Sequence, residues 1–116
     1  MKGKVVLVPF PFDDLSANKV CPAICFTEPI GPHRHMVLAF VTSVVPPVDP
    51  LPTDVIVDPG TSEGSSSGLK RVSALRLHRL MTISTSFVLR ELGSLTPPLE
   101  AKVSASLREL FSLGAS

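Results

Sequence analysis

Residues 3–27 read GKVVLVPFPFDDLSANKVCPAICFT, and this stretch decides the fold because two apolar runs flank a polar connection. Residues 5–8 are apolar without alternation, a pattern typical of a strand that is covered on both faces. The prolines that follow lack the N–H that a sheet ladder needs, so the strand should end there or reach an edge. Residues 13–19 contain the Asp, Ser and Asn typical of turns, and residues 20–27 return to strand composition. The chain therefore opens with a strand, a loop and a second strand, with Lys19 at the end of the loop.

Three later segments are also rich in apolar and β-branched residues and are predicted to be strands. They are residues 36–45, a central strand, residues 53–58, a short edge strand, and residues 70–83, two short strands or one bent strand. The Gly/Ser-rich residues 60–68 predict a mobile loop. Residues 86–92 predict one or two helical turns that end at Gly93.

A helix over residues 97–113 is predicted near the C-terminal end of the chain. Thr96 can cap it, Pro97 suits its first turn, and Glu100 complements its positive end. An apolar stripe runs along one side of this helix: Leu99, Val103, Leu107, Leu110 and Phe111. Such a stripe more often packs on the sheet than binds a separate partner. The sequence thus predicts a mainly β fold, a small and strongly bent antiparallel sheet with a C-terminal helix.

Length and composition narrow the class of protein. A chain of 116 residues predicts a single domain, residues 1–116. The net charge of +1 neither requires nor excludes a nucleic-acid partner. Tyr and Trp are absent, so stacking on bases would have to use Phe, Arg or His. No apolar run reaches the roughly 18 residues of a membrane span, which predicts a cytoplasmic protein without membrane contact.

Two cysteines, Cys21 and Cys25, lie four residues apart in a predicted strand. Their Cα atoms would be roughly 13 Å apart, beyond the roughly 7 Å limit for a disulfide. Thiols of this kind fit a cytosolic protein. A zinc site shared with His33 and His35 is disfavoured, because two thiols so far apart cannot bind one ion. The sequence therefore predicts no metal site.

Short motifs along nearly the whole chain resemble, in order, those of the PemK/MazF family of toxin ribonucleases. The opening strand and loop match at Gly3, residues 8–12, residues 14–16, Lys19 and Pro22-Ala23. Residues 38–43 resemble the family's Ala-Phe-Ile-Thr-Ser strand, residues 68–80 its Gly-Leu-x-Lys-x-Ser-x-x-Arg segment, and residues 91–97 the turn into its final helix. The resemblance implies an SH3-like small barrel.

The resemblance also implies a function. It implies the toxin of a type II toxin–antitoxin system, a metal-independent and sequence-specific endoribonuclease that cleaves single-stranded mRNA without a cofactor. A homodimer with the active groove near its interface is implied as well. The implied protein partner is a cognate antitoxin, which would block the groove with an acidic, partly helical segment.

Metal-free RNA cleavage requires a protein to orient the 2′-OH, move protons and stabilise charge on the phosphorane. The resemblance implies two catalytic residues, Thr42, which binds the scissile phosphate, and Arg76, which lines the RNA groove, although Thr42 alone reads as an ordinary strand residue. Five further residues are candidate RNA contacts: Lys19, Ser43, Lys70, Arg71 and Ser73. Arg71 lies outside the family pattern, and a solvated loop charge is its commoner role. His33 and His35 are candidates for RNA contact or proton transfer, because histidine is the side chain most often used for proton transfer in proteins; a polar loop is the alternative.

Cys21 occupies the position at which the family carries a catalytic Arg. It is therefore a candidate catalytic position that we expect to be defective, because a neutral thiol supplies no fixed positive charge and a thiolate has the wrong sign for phosphate. A half-buried strand cysteine without a catalytic role is the commoner alternative. Two hypotheses stay open: a weak toxin endoribonuclease, or a degenerate family member that binds RNA or an antitoxin without cleaving.

Overall fold

The computed structural model describes residues 1–9, 20–45 and 49–113. In these residues the chain forms one curled antiparallel sheet of six strands, followed by one α-helix. The strands are β1 Lys4–Pro9, β2 Val20–Cys25, β3 His35–Thr42, β4 Val55–Val57, β5 Ser73–Ser84 and β6 Arg90–Ser94, and the helix is α1 Pro97–Leu110. The order across the sheet is β4-β5-β3-β2-β1-β6. The predicted mainly β fold with a C-terminal helix is confirmed, and the predicted loop containing Lys19 lies outside the described residues.

Both faces of the sheet carry a packed apolar layer, which explains the absence of alternation in β1. The helix face, which packs on α1, includes Val5, Ile24, Ala39, Val41, Leu75, Leu77, Leu99 and Val103. The opposite face, called the far face below, includes Val6, Val8, Ala23, Cys25, Met36, Leu38 and Phe40. Successive residues of a strand point to opposite faces, so neighbouring valines of β1 each reach a different layer.

Strand β5 is one bent strand rather than two short ones. Ala39 of β3 lies opposite Leu80, whereas Val41 lies opposite Leu75, so two residues along β3 correspond to five along β5. The extra residues form a bulge, which bends a strand and redirects its side chains. Leu77 is directed into the core of the helix face, while its neighbour His78 is exposed.

The predicted helical turns over residues 86–92 are wrong. A single 3₁₀ turn covers Thr85–Phe87, and the chain then forms β6, which pairs with β1. The physical reason is that β1 would otherwise be an edge strand with unpaired backbone groups. Gly93 lies inside this strand instead of ending a helix. Glycine is required at this position because a Cβ there would meet the carbonyl oxygen of Ser66 at 2.2 Å.

The segment predicted as a mobile loop, residues 60–68, packs against β6. It contains a 3₁₀ turn, Ser65–Ser67, in which Ser67 is fully buried and donates its hydroxyl to the Gly64 carbonyl at 2.7 Å. Ser66 donates its hydroxyl to the carbonyl of Ser94 at 3.0 Å. The small residues that suggested mobility allow this close backbone approach.

Helix α1 begins as predicted but ends earlier, with Phe111 as its C-terminal cap. Thr96 has the extended backbone of an N-cap, yet its hydroxyl donates to the Glu63 carbonyl at 2.9 Å instead of capping the helix. Leu99 and Val103 are buried and Leu107 packs against the same core, whereas Phe111 is 55% exposed, so the apolar stripe packs on the sheet except at its C-terminal end. Among the described residues, no helix has the length and apolar character needed to cross a membrane.

Gly68 tests how tightly residues 60–68 close on β6. Both Gly31 and Gly68 have positive φ, but a Cβ on Gly31 meets nothing within 4 Å, whereas one on Gly68 would lie 1.9 Å from the Leu92 carbonyl oxygen. Gly31→Ala should cost only the backbone term, about 1–2 kcal/mol. Gly68→Ala should cost at least about 3 kcal/mol, because a backbone clash is added. Urea unfolding of both variants measures the difference, and equal losses would contradict the packing.

Candidate functional site

Three strands bring Cys21 and Thr42, two of the three predicted catalytic residues, to the same end of the sheet. Thr42 is the last residue of β3 and lies opposite Ala74 of β5. On the other side of β3, Phe40 lies opposite Ala23 of β2. Continuing that antiparallel register by two residues sets Cys21 opposite Thr42. Positions that are 21 residues apart in sequence therefore become neighbours at this end of the sheet, which we call the strand-end site.

The side chains at the strand-end site belong to the far face. Cys21 is half-buried and packs on the apolar layer of that face. Thr42 follows Phe40 by two residues and so points to the same side. Because Leu75 and Leu77 point to the helix face, Arg76 between them also points to the far face. Arg76 is diagonal to Thr42 across the two strands, a relation that sets Cα atoms about 7–8 Å apart.

Thr42 keeps its hydroxyl proton available for a ligand. The Oγ1 atom accepts a hydrogen bond from the backbone N–H of Val44 at 3.2 Å, which closes a local turn. A hydroxyl that accepts one hydrogen bond can still donate another, in this case to a phosphate oxygen. Ser43, a predicted RNA contact, follows directly and is exposed.

Arg76 is buried and paired with two carboxylates. Its side chain is 9% exposed, and Nε lies 3.1 Å from Oδ1 of Asp54, whose side chain is 5% exposed. These two atoms form an ion pair, but their geometry is not that of a hydrogen bond, since neither Nε of Arg76 nor Oδ1 of Asp54 has a hydrogen-bond partner. The terminal nitrogens donate to Oδ1 of Asp49, both at 3.3 Å, and one of them also donates to the Asp49 carbonyl at 3.2 Å. The guanidinium is thus fixed in position but already occupied by anions.

Asp54 owes its position to the pairing of β4 with β5. Val55 lies opposite Leu75, so the residue before Val55 stands beside Arg76. The Asp54 carboxylate also accepts the N–H of Leu51 at 2.9 Å, and the Asp54 N–H donates to the Leu51 carbonyl at 3.0 Å. Sequence reasoning missed both carboxylates that face Arg76. The proximity of Asp54 to an edge strand was readable, but its register against β5 was not.

The predicted RNA contacts at the start of β5 divide into exposed and buried residues. Lys70 and Arg71 are exposed just before the strand. Ser73 is only 4% exposed and donates its hydroxyl to the Arg71 carbonyl at 2.9 Å. Ser73 thus shapes the turn that carries Arg71. Lys70 and Arg71 are exposed cations just before the part of β5 that lies opposite Thr42. The position of Lys19 is outside the described residues.

The histidine pair lies at the opposite end of β3. The rings of His33 and His35 are stacked with centroids 5.8 Å apart, and the hairpin that carries them is held by Ser84, which donates its hydroxyl to the His33 carbonyl at 3.3 Å. Strand β3 runs from His35 to Thr42, a length of roughly 20 Å. The structure does not bring the two histidines to Thr42 of the same chain, so they cannot transfer protons there.

An apolar cavity of about 120 Å³ opens on the far face beside the strand-end site. It is lined by Val8, Pro9, Leu38, Phe40, Met81, Ile83 and Phe87. Val8 is opposite Cys21, and Phe40 precedes Thr42 by two residues, so the cavity borders both candidate positions. The site therefore combines hydroxyl donors, two exposed cations and an adjoining apolar wall.

The second cysteine is chemically inert. Cys25 is buried on the far face, where its Sγ lies 3.6 Å from the Met36 Sδ. Burial raises the pKa of the Cys25 thiol to about 11, so it stays protonated near neutral pH. Neither cysteine is in a disulfide. In the part of the chain that the structure describes, no three His, Cys, Asp or Glu side chains cluster as metal ligands.

Comparison with solved structures finds the same fold in mycobacterial toxins. An endoribonuclease in complex with its cognate antitoxin, from a mycobacterial species, superposes with a TM-score of 0.72 at 16% identity, covering 100% of this chain and 98% of that one. The Mycobacterium tuberculosis toxin MazF-mt6 gives a TM-score of 0.72 at 21% identity, with 96% and 98% coverage. A further mycobacterial endoribonuclease gives 0.68 at 16% identity, with 100% and 94% coverage. Comparison with curated protein sequences found no match.

The sequence profile of one family covers almost the entire chain. The profile describes the PemK-like, MazF-like toxin of type II toxin–antitoxin systems, and it matches residues 1–111. The matched residues include all six strands and helix α1, and with them β2, β3 and β5, which build the strand-end site. The chain therefore belongs to the PemK/MazF family of type II toxin–antitoxin toxins.

Proposed function

We propose that this toxin is a metal-independent, sequence-specific endoribonuclease that cleaves single-stranded mRNA in the cytoplasm. The observation that supports the proposal is the strand register: Thr42 lies opposite Ala74, two residues before Arg76, and extending the pairing of Ala23 with Phe40 by two residues brings Cys21 to the same end of the sheet. Lys70 and Arg71, which are exposed just before β5, supply positive charge for an RNA backbone beside them.

In this proposal the 2′-oxygen of the RNA loses its proton to water and attacks the adjacent phosphorus, which forms a 2′,3′-cyclic phosphate. The P–O5′ bond breaks, and the 5′-oxygen of the next nucleotide leaves as a hydroxyl after taking a proton from water. The Thr42 hydroxyl donates a hydrogen bond to a non-bridging phosphate oxygen, where negative charge grows in the transition state. Arg71 and Lys70 contact neighbouring phosphates and position the strand. Cys21 adds no positive charge at the phosphorane, so we expect cleavage to be slow for a member of this family.

The proposed protein partner is a cognate antitoxin. One of the similar structures is an endoribonuclease bound to its cognate antitoxin. For this chain we propose that an acidic antitoxin segment lies over the strand-end site, where Lys70 and Arg71 attract it and where it excludes RNA. Competition between an acidic antitoxin peptide and RNA is the corresponding measurement, and simultaneous binding of both would contradict it.

We also propose that the toxin is a homodimer that uses the apolar part of the far face. The cavity beside the strand-end site is almost entirely apolar in its lining, and Phe87 at its rim is 54% exposed. Leu89, which follows on the same connection, is 57% exposed. A second copy would remove these side chains from water. Light scattering should give twice the 12.4 kDa chain mass, and the mass of a single chain at micromolar concentration would contradict the dimer.

Thr42→Ala tests the proposed activity directly. Purified protein is incubated with a long single-stranded RNA in EDTA, and the cut sites are mapped. Wild type should cut at a restricted set of sequences, and Thr42→Ala should cut at least about tenfold more slowly, equivalent to about 1.4 kcal/mol of transition-state stabilisation.

Thr82→Ala is the matched control, because Thr82 is an exposed threonine of β5 outside the strand-end site. It should cut at the wild-type rate. RNA that stays intact with wild type, or equal rates for folded Thr42→Ala and Thr82→Ala, would contradict the proposed function.

A further inference from the structure

The two carboxylates that pair with Arg76 differ sharply in burial, and this points to different roles. The Asp54 side chain is 5% exposed and contacts Nε, on the inner side of the guanidinium. The Asp49 side chain is 80% exposed and contacts only the terminal nitrogens. Asp54 is therefore part of the protein interior, whereas the carboxylate of Asp49 can leave Arg76 without exposing the core.

Asp49 occupies the atoms of Arg76 that would pair with phosphate. The terminal nitrogens of a guanidinium form the planar fork that binds two oxygens of one anion. Here both nitrogens share a single carboxylate oxygen of Asp49 at 3.3 Å, and one of them also donates to the Asp49 carbonyl at 3.2 Å. Strong charge-assisted hydrogen bonds are shorter, about 2.7–2.9 Å. The contact is thus a loose one that a better-fitting anion can replace.

The charge of the cluster disfavours RNA while Asp49 remains in place. One guanidinium charge faces two carboxylates, which leaves a local net charge of −1. An approaching phosphodiester is repelled by this net charge, and the repulsion is largest in the partly dehydrated surroundings of Arg76. Once Asp49 has moved away, Arg76 and Asp54 together are neutral and the fork is open to an oxyanion.

We propose that Asp49 is an internal competitor of RNA: its carboxylate holds the phosphate-pairing side of Arg76 and is displaced when an RNA phosphodiester binds there. Asp54 remains and keeps the guanidinium oriented during the exchange. The inference rests on the proposed ribonuclease function, and it identifies Asp49 as a residue that sets RNA affinity. Thr42 is the diagonal neighbour of Arg76, so one RNA strand can contact both side chains.

Binding of a non-cleavable RNA to three full-length variants tests this inference. The RNA is a fluorescein-labelled pool of random-sequence 2′-O-methyl oligoribonucleotides, and binding is followed by fluorescence anisotropy. Asp49→Asn should bind two- to fivefold more tightly than wild type, since a partly exposed ion pair has to be broken in wild type only. Glu109→Gln removes the same charge from the exposed side of α1 and should bind like wild type. Asp54→Asn should bind more weakly and unfold at lower urea concentration, because Arg76 loses its buried partner.

The possible outcomes separate the inference from the function on which it rests. Wild-type binding with no gain for Asp49→Asn over Glu109→Gln would overturn the role of Asp49 and leave the proposed ribonuclease intact. A gain for Asp54→Asn as large as that for Asp49→Asn would overturn the division of roles between the two carboxylates. An absence of RNA binding by wild type and by every variant would overturn the proposed function, and the inference with it.

Discussion

The pairing of β3 with β2 on one side and with β5 on the other is the constraint on which the rest of the structure depends. It sets Thr42 opposite Ala74 and Phe40 opposite Ala23, so that Cys21, two residues before Ala23, comes to the same end of the sheet. Burial of β3 in both apolar layers fixes its register, because a slip of one residue would exchange the side chains of the two faces. The same register sets Thr42 on the far face, where the cavity and Arg76 lie. The geometry of the candidate site therefore follows from the core.

The sequence predicts those elements whose signals are local. The apolar runs locate β1, β2, β3 and the edge strand β4, and the stripe from Leu99 locates the helix. The sequence-based prediction fails for β6, because pairing with β1 overrides the weak helical preference of residues 86–92. It also fails for Thr96, whose hydroxyl is taken by Glu63, a residue 33 positions away. The partners of Arg76 were missed for the same reason: Asp54 reaches it through the register of β4 against β5, and Asp49 reaches it from the connection that precedes β4.

The charges of the strand-end site explain why we propose a slow ribonuclease. Arg76 is spatially close to Thr42 but is neutralised by Asp54 and Asp49, so it offers no uncompensated positive charge in this arrangement. The thiol of Cys21 offers none either. The exposed cations that we assign to the strand-end site are Lys70 and Arg71, in the turn that Ser73 stabilises. In the proposed function the site binds and orients RNA, but it lacks the fixed positive charge that stabilises a phosphorane.

The central claim is that phosphoryl chemistry takes place beside position 21, and it is tested most directly by restoring the missing charge. The measurement compares the initial cleavage rates of wild type, Cys21→Arg and Cys21→Ser on one single-stranded RNA in EDTA. We expect Cys21→Arg to cut at least about tenfold faster than wild type, since a preorganised donor at such a transition state is typically worth about a hundredfold. Cys21→Ser removes the thiol without adding charge and should match wild type. A folded Cys21→Arg variant that cuts no faster than Cys21→Ser would contradict the assignment of the chemistry to the strand-end site.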